Sequence, residues 1–360
     1  MKNLVLLEYG GYLGTEKFDF VIKKGEEKLD TKPFQSVNEI SLSSGNSVST
    51  KALAWASIYG IKTLVTSQSG RPLGVLLPLN YDSHVQTRIK QYEAYSDQIG
   101  VKIAKTIVKA KIEAQALLLE KYNIECNNKL RGALMNLQKL KANSVEEIRT
   151  KIHGIEGRFG KFYFKELIKL FPIEFRTQVR YSYKAVDVTN NLFNLSFEVL
   201  KWEVYKSIIN AHLDPFLGFL HSIQHGKPSL VCDLQEAYRP LIDSFLVDYI
   251  KKLKTKDLEA NYQTKKPRIF LKHNESSKLI TDLNSFLDRK IKKQRSRKFG
   301  DYSKIKTVIR EDTESLARFL RKDIKTWTPT VGLLNKSLRL KKPIKEKKKL
   351  NCVGFCQHVK

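Results

Sequence analysis

The chain has 360 residues, with 65 Lys and Arg against 37 Asp and Glu, a formal charge of +28. Its 41 % hydrophobic content lets it bury cores, and its length predicts about two domains. No apolar run approaches the roughly 18 residues of a spanning helix, so an integral membrane protein is excluded. The Leu4–Leu7 run meets Glu8 too soon for a signal-peptide core, and four Cys without framework spacing predict a reducing cytoplasm. A surplus this large predicts a polyanionic partner, nucleic acid first.

The first 80 residues read as strands. Asn3–Tyr9, Phe18–Lys23, Val37–Ser43, Lys62–Thr66 and Leu73–Leu77 are β-rich runs separated by Gly, Pro, Asn and Ser. Gly10-Gly11 predicts a hairpin turn. One helix interrupts the strands, capped by Ser49 or Thr50 and stopped by Gly60. After Pro78 the apolar spacing becomes three and four, as in Ile99, Ile103, Ile107 and Ala110. Ser144 to Glu147 is a capping box that opens a helix at Val145. Ile148, Ile152, Ile155, Phe159 and Phe162 continue it as one stripe, and Leu192 to Ile208 mark another long helix. Asp214-Pro215 predicts a helix start running to His221, and Ser229 caps a helix from Leu230 to about Tyr249.

The expected fold class is α+β: a small N-terminal mainly-β domain, then a larger all-α catalytic domain. The boundaries read as 1–80 for the β domain, 81–88 for a linker, 89–325 for the helical domain and 326–360 for a basic, flexible tail. Charge follows the same division. Residues 1–80 carry only +2, residues 81–285 carry +10, and residues 286–360 carry +16. Basic side chains in the tail add phosphate contacts, each steepening the salt dependence by about 0.9 in log–log slope.

Several titratable residues of the helical part stand where a core would not ask for them. Glu156 adjoins the apolar stripe, with Gly157 and Gly160 removing bulk beside it. Glycines inside a helix cost about 1 kcal/mol each, which points to close approach of a backbone or ligand. His221 follows an apolar run, and Asp233 and Glu236 stand three apart on the next helix. A hard divalent cation takes oxygen ligands and, for Mn²⁺, one imidazole. Glu156, His221 and Asp233 form such a set, with Glu236 behind it or as an alternate ligand. His225 competes with His221, while His153 and His212 read as structural or surface residues. Cys352, Cys356 and His358 supply three close zinc-type ligands where a structural site wants four.

Three ordered motifs carry a resemblance. Glu156-Gly-Arg-Phe-Gly-Lys-Phe-Tyr-Phe164, Leu213-Asp-Pro-Phe-Leu-Gly-Phe-Leu-His221 and Pro228-Ser-Leu-Val-Cys-Asp-Leu-Gln-Glu-Ala-Tyr-Arg-Pro240 occur in that order. They resemble the signatures of the CRISPR-associated integrase, the endonuclease of spacer acquisition, and Asp187-Val-Thr-Asn190 resembles the family's step into a long helix. The departures are His212 for Gly, Gly160-Lys161 for Ala-Arg, and Tyr238 for Phe. The resemblance spans roughly residues 1–290 and implies metal ligands at Glu156, His221 and Asp233 for Mn²⁺ or Mg²⁺, with Glu236 catalytic beside them. It also implies joining of the 3′-OH ends of short DNA fragments to a CRISPR repeat by transesterification, on double-stranded and branched DNA. A homodimer through the β domains and a small ferredoxin-like companion protein are implied partners. Arg158, Lys161, Arg180, Lys184 and Arg239 are the nucleic-acid-binding candidates. The rival readings are a non-catalytic DNA-binding scaffold and a general metal-dependent nuclease.

Overall fold

The computed structural model describes residues 2–6, 9–67, 72–79, 85–182, 185–261, 268–292 and 302–330. Lys184, the Cys352/Cys356/His358 cluster and the tail beyond residue 330 lie outside them. The chain divides into two compact units at residue 84.

The first unit carries β1 (Lys2–Leu6), β2 (Gly11–Glu16), β3 (Asp19–Lys24), β4 (Glu27–Pro33), β5 (Val37–Ser43), β6 (Ser47–Val48), α1 (Thr50–Ile58), β7 (Lys62–Thr66) and β8 (Pro72–Leu76). They form two four-stranded sheets, ordered β1-β5-β7-β8 and β4-β3-β2-β6. Gly10 does turn the chain, at φ +85°, but not as a hairpin: β1 pairs in parallel with β5, while β2 pairs with β3 in the other sheet. The hairpin turns are at Lys17 (φ 51°) and Gly25 (φ 59°). The strands β2 and β4 escape the sequence pattern because Gly, Thr, Lys and Asp break their apolar alternation. Phe20, Phe34 and Ile40 fill the core, with the Trp55 ring stacked 5.3 Å from Phe34. The Ser49 hydroxyl caps α1 by accepting from Ala52 N at 3.1 Å, and Gly60 ends the turn at φ +70°.

The second unit holds α2 (Val85–Tyr95), α3 (Gln98–Lys121), α4 (Asn127–Lys139), α5 (Val145–Ile168), α6 (Val188–Asn210), α7 (Ser229–Glu236), α8 (Arg239–Ile250), α9 (His273–Leu287) and α10 (Ile305–Leu320). Two short antiparallel pairs interrupt the helices, β9 (Leu258–Asn261) with β10 (Arg268–Leu271) and β11 (Lys290–Lys292) with β12 (Tyr302–Lys304). The buried stripe of α5 is Ile148, Ile152, Ile155, Phe159 and then Tyr163. Its capping box is looser than the sequence implies: the Ser144 hydroxyl does not cap, and Glu147 Oε2 accepts instead from Asn143 N at 3.0 Å. Asp187 caps α6 through Asn190 N at 2.8 Å. Among the described residues no helix is long and apolar enough to cross a membrane.

Two expected helices change in the structure, and both changes build the site. The Leu230–Tyr249 helix is two helices, because Pro240 lacks an N–H and opens α8. Asp214–His221 is not a helix, since its backbone groups find partners elsewhere. The Gln91 carboxamide donates to the carbonyls of Asp214 (2.9 Å) and Leu217 (2.8 Å), and Arg149 Nε donates to that of Leu220 (3.2 Å). The amides of this segment turn toward Asp233.

Candidate active site

Asp233 is wholly buried near the middle of α7. Its Oδ2 accepts from the amides of Phe219 (2.5 Å) and Leu220 (2.7 Å), and its Oδ1 from the amide of His221 (2.8 Å). His221 Nδ1 lies 2.7 Å from the same Oδ1. These four contacts use the lone-pair sites of an ionised carboxylate. In the neutral ring Nδ1–H donates to Asp233, which leaves the Nε2 lone pair as the ring's open acceptor. Gly218 makes this cradle possible, because a Cβ there would lie 2.7 Å from Asp233 Oδ2 and from the Ser229 carbonyl carbon.

Glu236, one turn further along α7, has different partners. The buried Lys111 ammonium, from the inner face of α3, sits 2.5 Å from Glu236 Oε2 and also contacts Glu156 Oε1. Arg239 Nη1 pairs with Glu236 Oε1 at 2.6 Å. Burial works against the Glu236 charge, but Arg239 and Lys111 outweigh it and lower its pKa. Burial likewise opposes ionisation of Glu156, whose side chain is 22 % exposed. His153 and Lys111 prevail there, taking Glu156 down to about 2. The Lys111 ammonium is disfavoured by burial yet held above its ordinary range by the two carboxylates.

Histidine 153 stands beside this group, with Nδ1 3.8 Å from Glu156 Oε2 and its ring 5.9 Å from that of His221. It therefore belongs to the site rather than to the general surface. His225 is exposed in the turn beyond Ile223. A Cβ at Gly157 or Gly160 would meet nothing within 4 Å, so these glycines leave the outer face of α5 open and admit no close backbone neighbour. Arg158 and Lys161 are exposed on the same helix. Arg180 is pinned instead, donating to Asn190 (3.1 Å) and Asn194 (2.7 Å) and stacking on Phe193 and Phe197. Arg239 covers Phe197 at 4.9 Å.

Sequence reasoning missed Lys111, Arg149 and Gln91. Lys111 had a signal: it continues the Ile103–Ile107 stripe at a spacing of four, so a charge falls on a buried face. Gln91 and Arg149 act across long sequence separations and had none.

Among the described residues no three His, Cys, Asp or Glu converge tightly enough to cage a metal by themselves. The donor chemistry nonetheless fits a hard divalent ion. Two ionised carboxylates share one cationic neighbour, and the buried Glu236 Oε2 makes no hydrogen bond of good geometry.

Residues 4–285 match the family described as CRISPR associated protein Cas1. The CRISPR-associated endonuclease Cas1 2 of Saccharolobus solfataricus is 30 % identical over 247 residues, which is 69 % of this chain and 75 % of that one. Among solved structures, a Cas1 protein from Thermotoga maritima superposes with a TM-score of 0.68 at 19 % identity, covering 89 % of this chain and 97 % of that one. A casposase bound to integration product superposes with a TM-score of 0.65 at 23 % identity, covering 92 % and 98 %.

Proposed function

The chain belongs to the CRISPR-associated Cas1 family, and on that premise we propose that it is a metal-dependent DNA endonuclease and integrase. In this reading it joins the 3′-OH ends of short DNA fragments to a CRISPR repeat by transesterification. The observation that carries the proposal is the single Lys111 ammonium in contact with both Glu156 and Glu236, beside a His221 ring oriented by Asp233. A scaffold that merely bound DNA would gain nothing from a buried and a half-buried acid held against one ammonium.

Mn²⁺ or Mg²⁺ would be held by Glu156, His221 and Glu236. This departs from the set of Glu156, His221 and Asp233 that the sequence motifs imply, because three backbone amides and the His221 ring already occupy both oxygens of Asp233, which would act through His221 instead. When bound, such an ion supplies Lewis-acid stabilisation of charge on the attacked phosphate. The chain itself supplies positioning, on which phosphoryl transfer chiefly depends. Asp233 fixes the ring of His221 and gathers residues 219–221 around itself. Arg149 and Gln91 hold the same loop from its carbonyl side. Lys111 keeps the two acids ionised and close together, and Arg239 places a fixed positive charge at the edge of the cluster. The open face along Gly157 and Gly160, flanked by exposed Arg158 and Lys161, gives a DNA backbone room to approach.

The near-neutral β unit suits a homodimer contact, and family membership supports a small ferredoxin-like companion protein. Cytoplasmic localisation rests on the reducing compartment that the cysteines predict. The test is joining of a 3′-OH oligonucleotide to supercoiled plasmid in Mn²⁺. Glu156→Ala and Glu236→Ala should each abolish product while leaving duplex binding intact, and joining by either variant at the wild-type rate would overturn the assignment.

A further inference from the structure

A cavity of about 880 Å³ opens between α3 and α4, lined by Lys102, Lys105, Lys109 and Lys141 over a floor that includes Val101, Leu134 and Leu137. Its only acid among the described residues is Glu113, which lies 3.8 Å from Lys109. Lysines 102, 105 and 109 are spaced three and four apart, so they form one row along two turns of α3, about 10 Å long. At about 100° per residue they stand on the side of the helix away from Lys111. The groove is therefore separated from the acidic cluster by the thickness of α3, although the same helix positions both.

The lysines are not equivalent. Lys105 is built into the wall: its ammonium donates to the carbonyls of Leu140 (2.8 Å) and Gln138 (3.2 Å). An ammonium has three donors, so one remains after those two bonds. Neither carbonyl carries a formal charge, and no carboxylate pairs with Lys105 among the described residues. Burial lowers its pKa, the mark of a cation whose charge is not offset. Lys102 rests over the Phe319 ring at 5.1 Å, and Lys102, Lys109 and Lys141 are exposed. The groove thus combines one fixed and three adjustable positive charges with an apolar floor.

Charge in a row over an apolar base matches a polyanion that carries flat apolar groups, a single nucleic-acid strand. Its phosphates meet the lysines, while its sugars and bases make apolar contact with an aliphatic floor rather than stacking on rings. A duplex presents its bases stacked inside and would use only the rim.

We propose that the α3–α4 groove is a single-strand binding site, separate from the acidic cluster, that grips a DNA strand through Lys102, Lys105, Lys109 and Lys141. This rests on the reading that DNA is the substrate. It adds a second hold on that DNA, on the side of α3 opposite the acidic cluster.

The experiment is fluorescence anisotropy of a labelled twelve-residue oligothymidine across a salt series, with a hairpin duplex in parallel. The full-length wild type is compared with Lys102→Gln/Lys109→Gln/Lys141→Gln, all exposed positions, and separately with Lys105→Met. With the strand, the log–log slope should fall by about 0.7 for each lysine removed, hence by about 2 for the triple variant and less than 1 for Lys105→Met. The duplex slope should change by less than half as much. An unchanged oligothymidine slope in both variants overturns the site, and an equal or larger loss with the duplex overturns the single-strand assignment. Plasmid joining is scored on the same preparations. No joining by the wild type together with the expected slope change would defeat the integrase reading and leave the groove standing. Joining with an unchanged slope would do the reverse.

Discussion

Asp233 and Glu236 are one turn apart on the same short helix, and both are buried, yet they are neutralised in opposite ways. Asp233 is surrounded by backbone amides and one imidazole N–H, donors fixed by the loop they belong to. Glu236 is matched by the ends of two long side chains, Lys111 and Arg239. Backbone donors cannot leave without unfolding the loop, whereas ammonium and guanidinium groups can shift. The first arrangement is architecture, and the second is a charge cluster open to exchange with a substrate or an ion. Buried acids of equal spacing can therefore serve different ends, set by which partners they recruit.

That contrast can be broken experimentally. The largest effect is expected at Asp233: Asp233→Ala strands three amides and the His221 ring, costing about 5 kcal/mol of stability, the upper range for breaking a buried charged network. Chemical denaturation would measure it, and a loss under 1 kcal/mol would remove the architectural role. Glu236→Ala should show the converse, a loss of joining of about a thousandfold with a smaller stability loss than Asp233→Ala, about 3 kcal/mol, since Lys111 and Arg239 each lose one partner but keep mobile side chains. A collapse of its melting temperature comparable to that of Asp233→Ala would erase the distinction.

Asp243 sharpens the comparison, since it is a buried acid matched by a neutral donor. Tyr163 donates to its Oδ2 at 2.6 Å, yet burial pushes its carboxyl up to about 7 from an ordinary 3.8. The folded-state pKa is raised, so its contribution to stability is complete below about 3.8 and is lost as pH rises through about 7. The span amounts to about 4 kcal/mol. Asp243→Asn should flatten the fall in melting temperature between pH 5 and pH 8, and an unaltered slope would contradict this. Glu156 has the opposite sign: its pKa is lowered to about 2, so the stability it gives is present above 4.5 and fades only toward pH 2. The two windows are separate enough to be read in one titration.

The smallest effect concerns Lys111. Lys111→Met leaves the buried Glu236 and the half-buried Glu156 without their shared cation, at a cost of about 3 kcal/mol. Adding Glu156→Gln should recover a good part of it, because the pair is coupled. Simple additivity in that double-mutant cycle would show that Lys111 does not bind the acids together.

Much of the outline was legible in the sequence. The strands Val37–Ser43 and Lys62–Thr66, the Ser49 cap and the opening of α5 at Val145 follow from local composition, and they lie where the pattern puts them. The residues of the site were visible as oddities: Glu156 beside an apolar stripe, His221 after an apolar run, and acids at 233 and 236. Their division of labour was not visible. Spacing gives Asp233 and Glu236 similar directions on α7, so nothing local says that one meets amides and the other meets ammonium. The loop 214–221 failed for a related reason. Asp-Pro favours a helix start in isolation, but Gln91, Arg149 and Asp233 bid for its backbone groups from more distant parts of the chain.

Periodicity, caps and charge are local properties, and they suffice for the near-neutral β unit, the basic helical unit and the inventory of acids and histidine. The tertiary structure decided which acid is held by backbone and which by side chains. It also turned an apparently ordinary lysine of α3 into the bridge between Glu156 and Glu236, and set four further lysines around a groove. The physical reason is that burial and partner choice depend on which surfaces meet, and at contact range a single buried ammonium changes the character of two carboxylates. The surplus of +28 announces a polyanion, and only folding separates the charges that line a groove from those that hold an acidic cluster together.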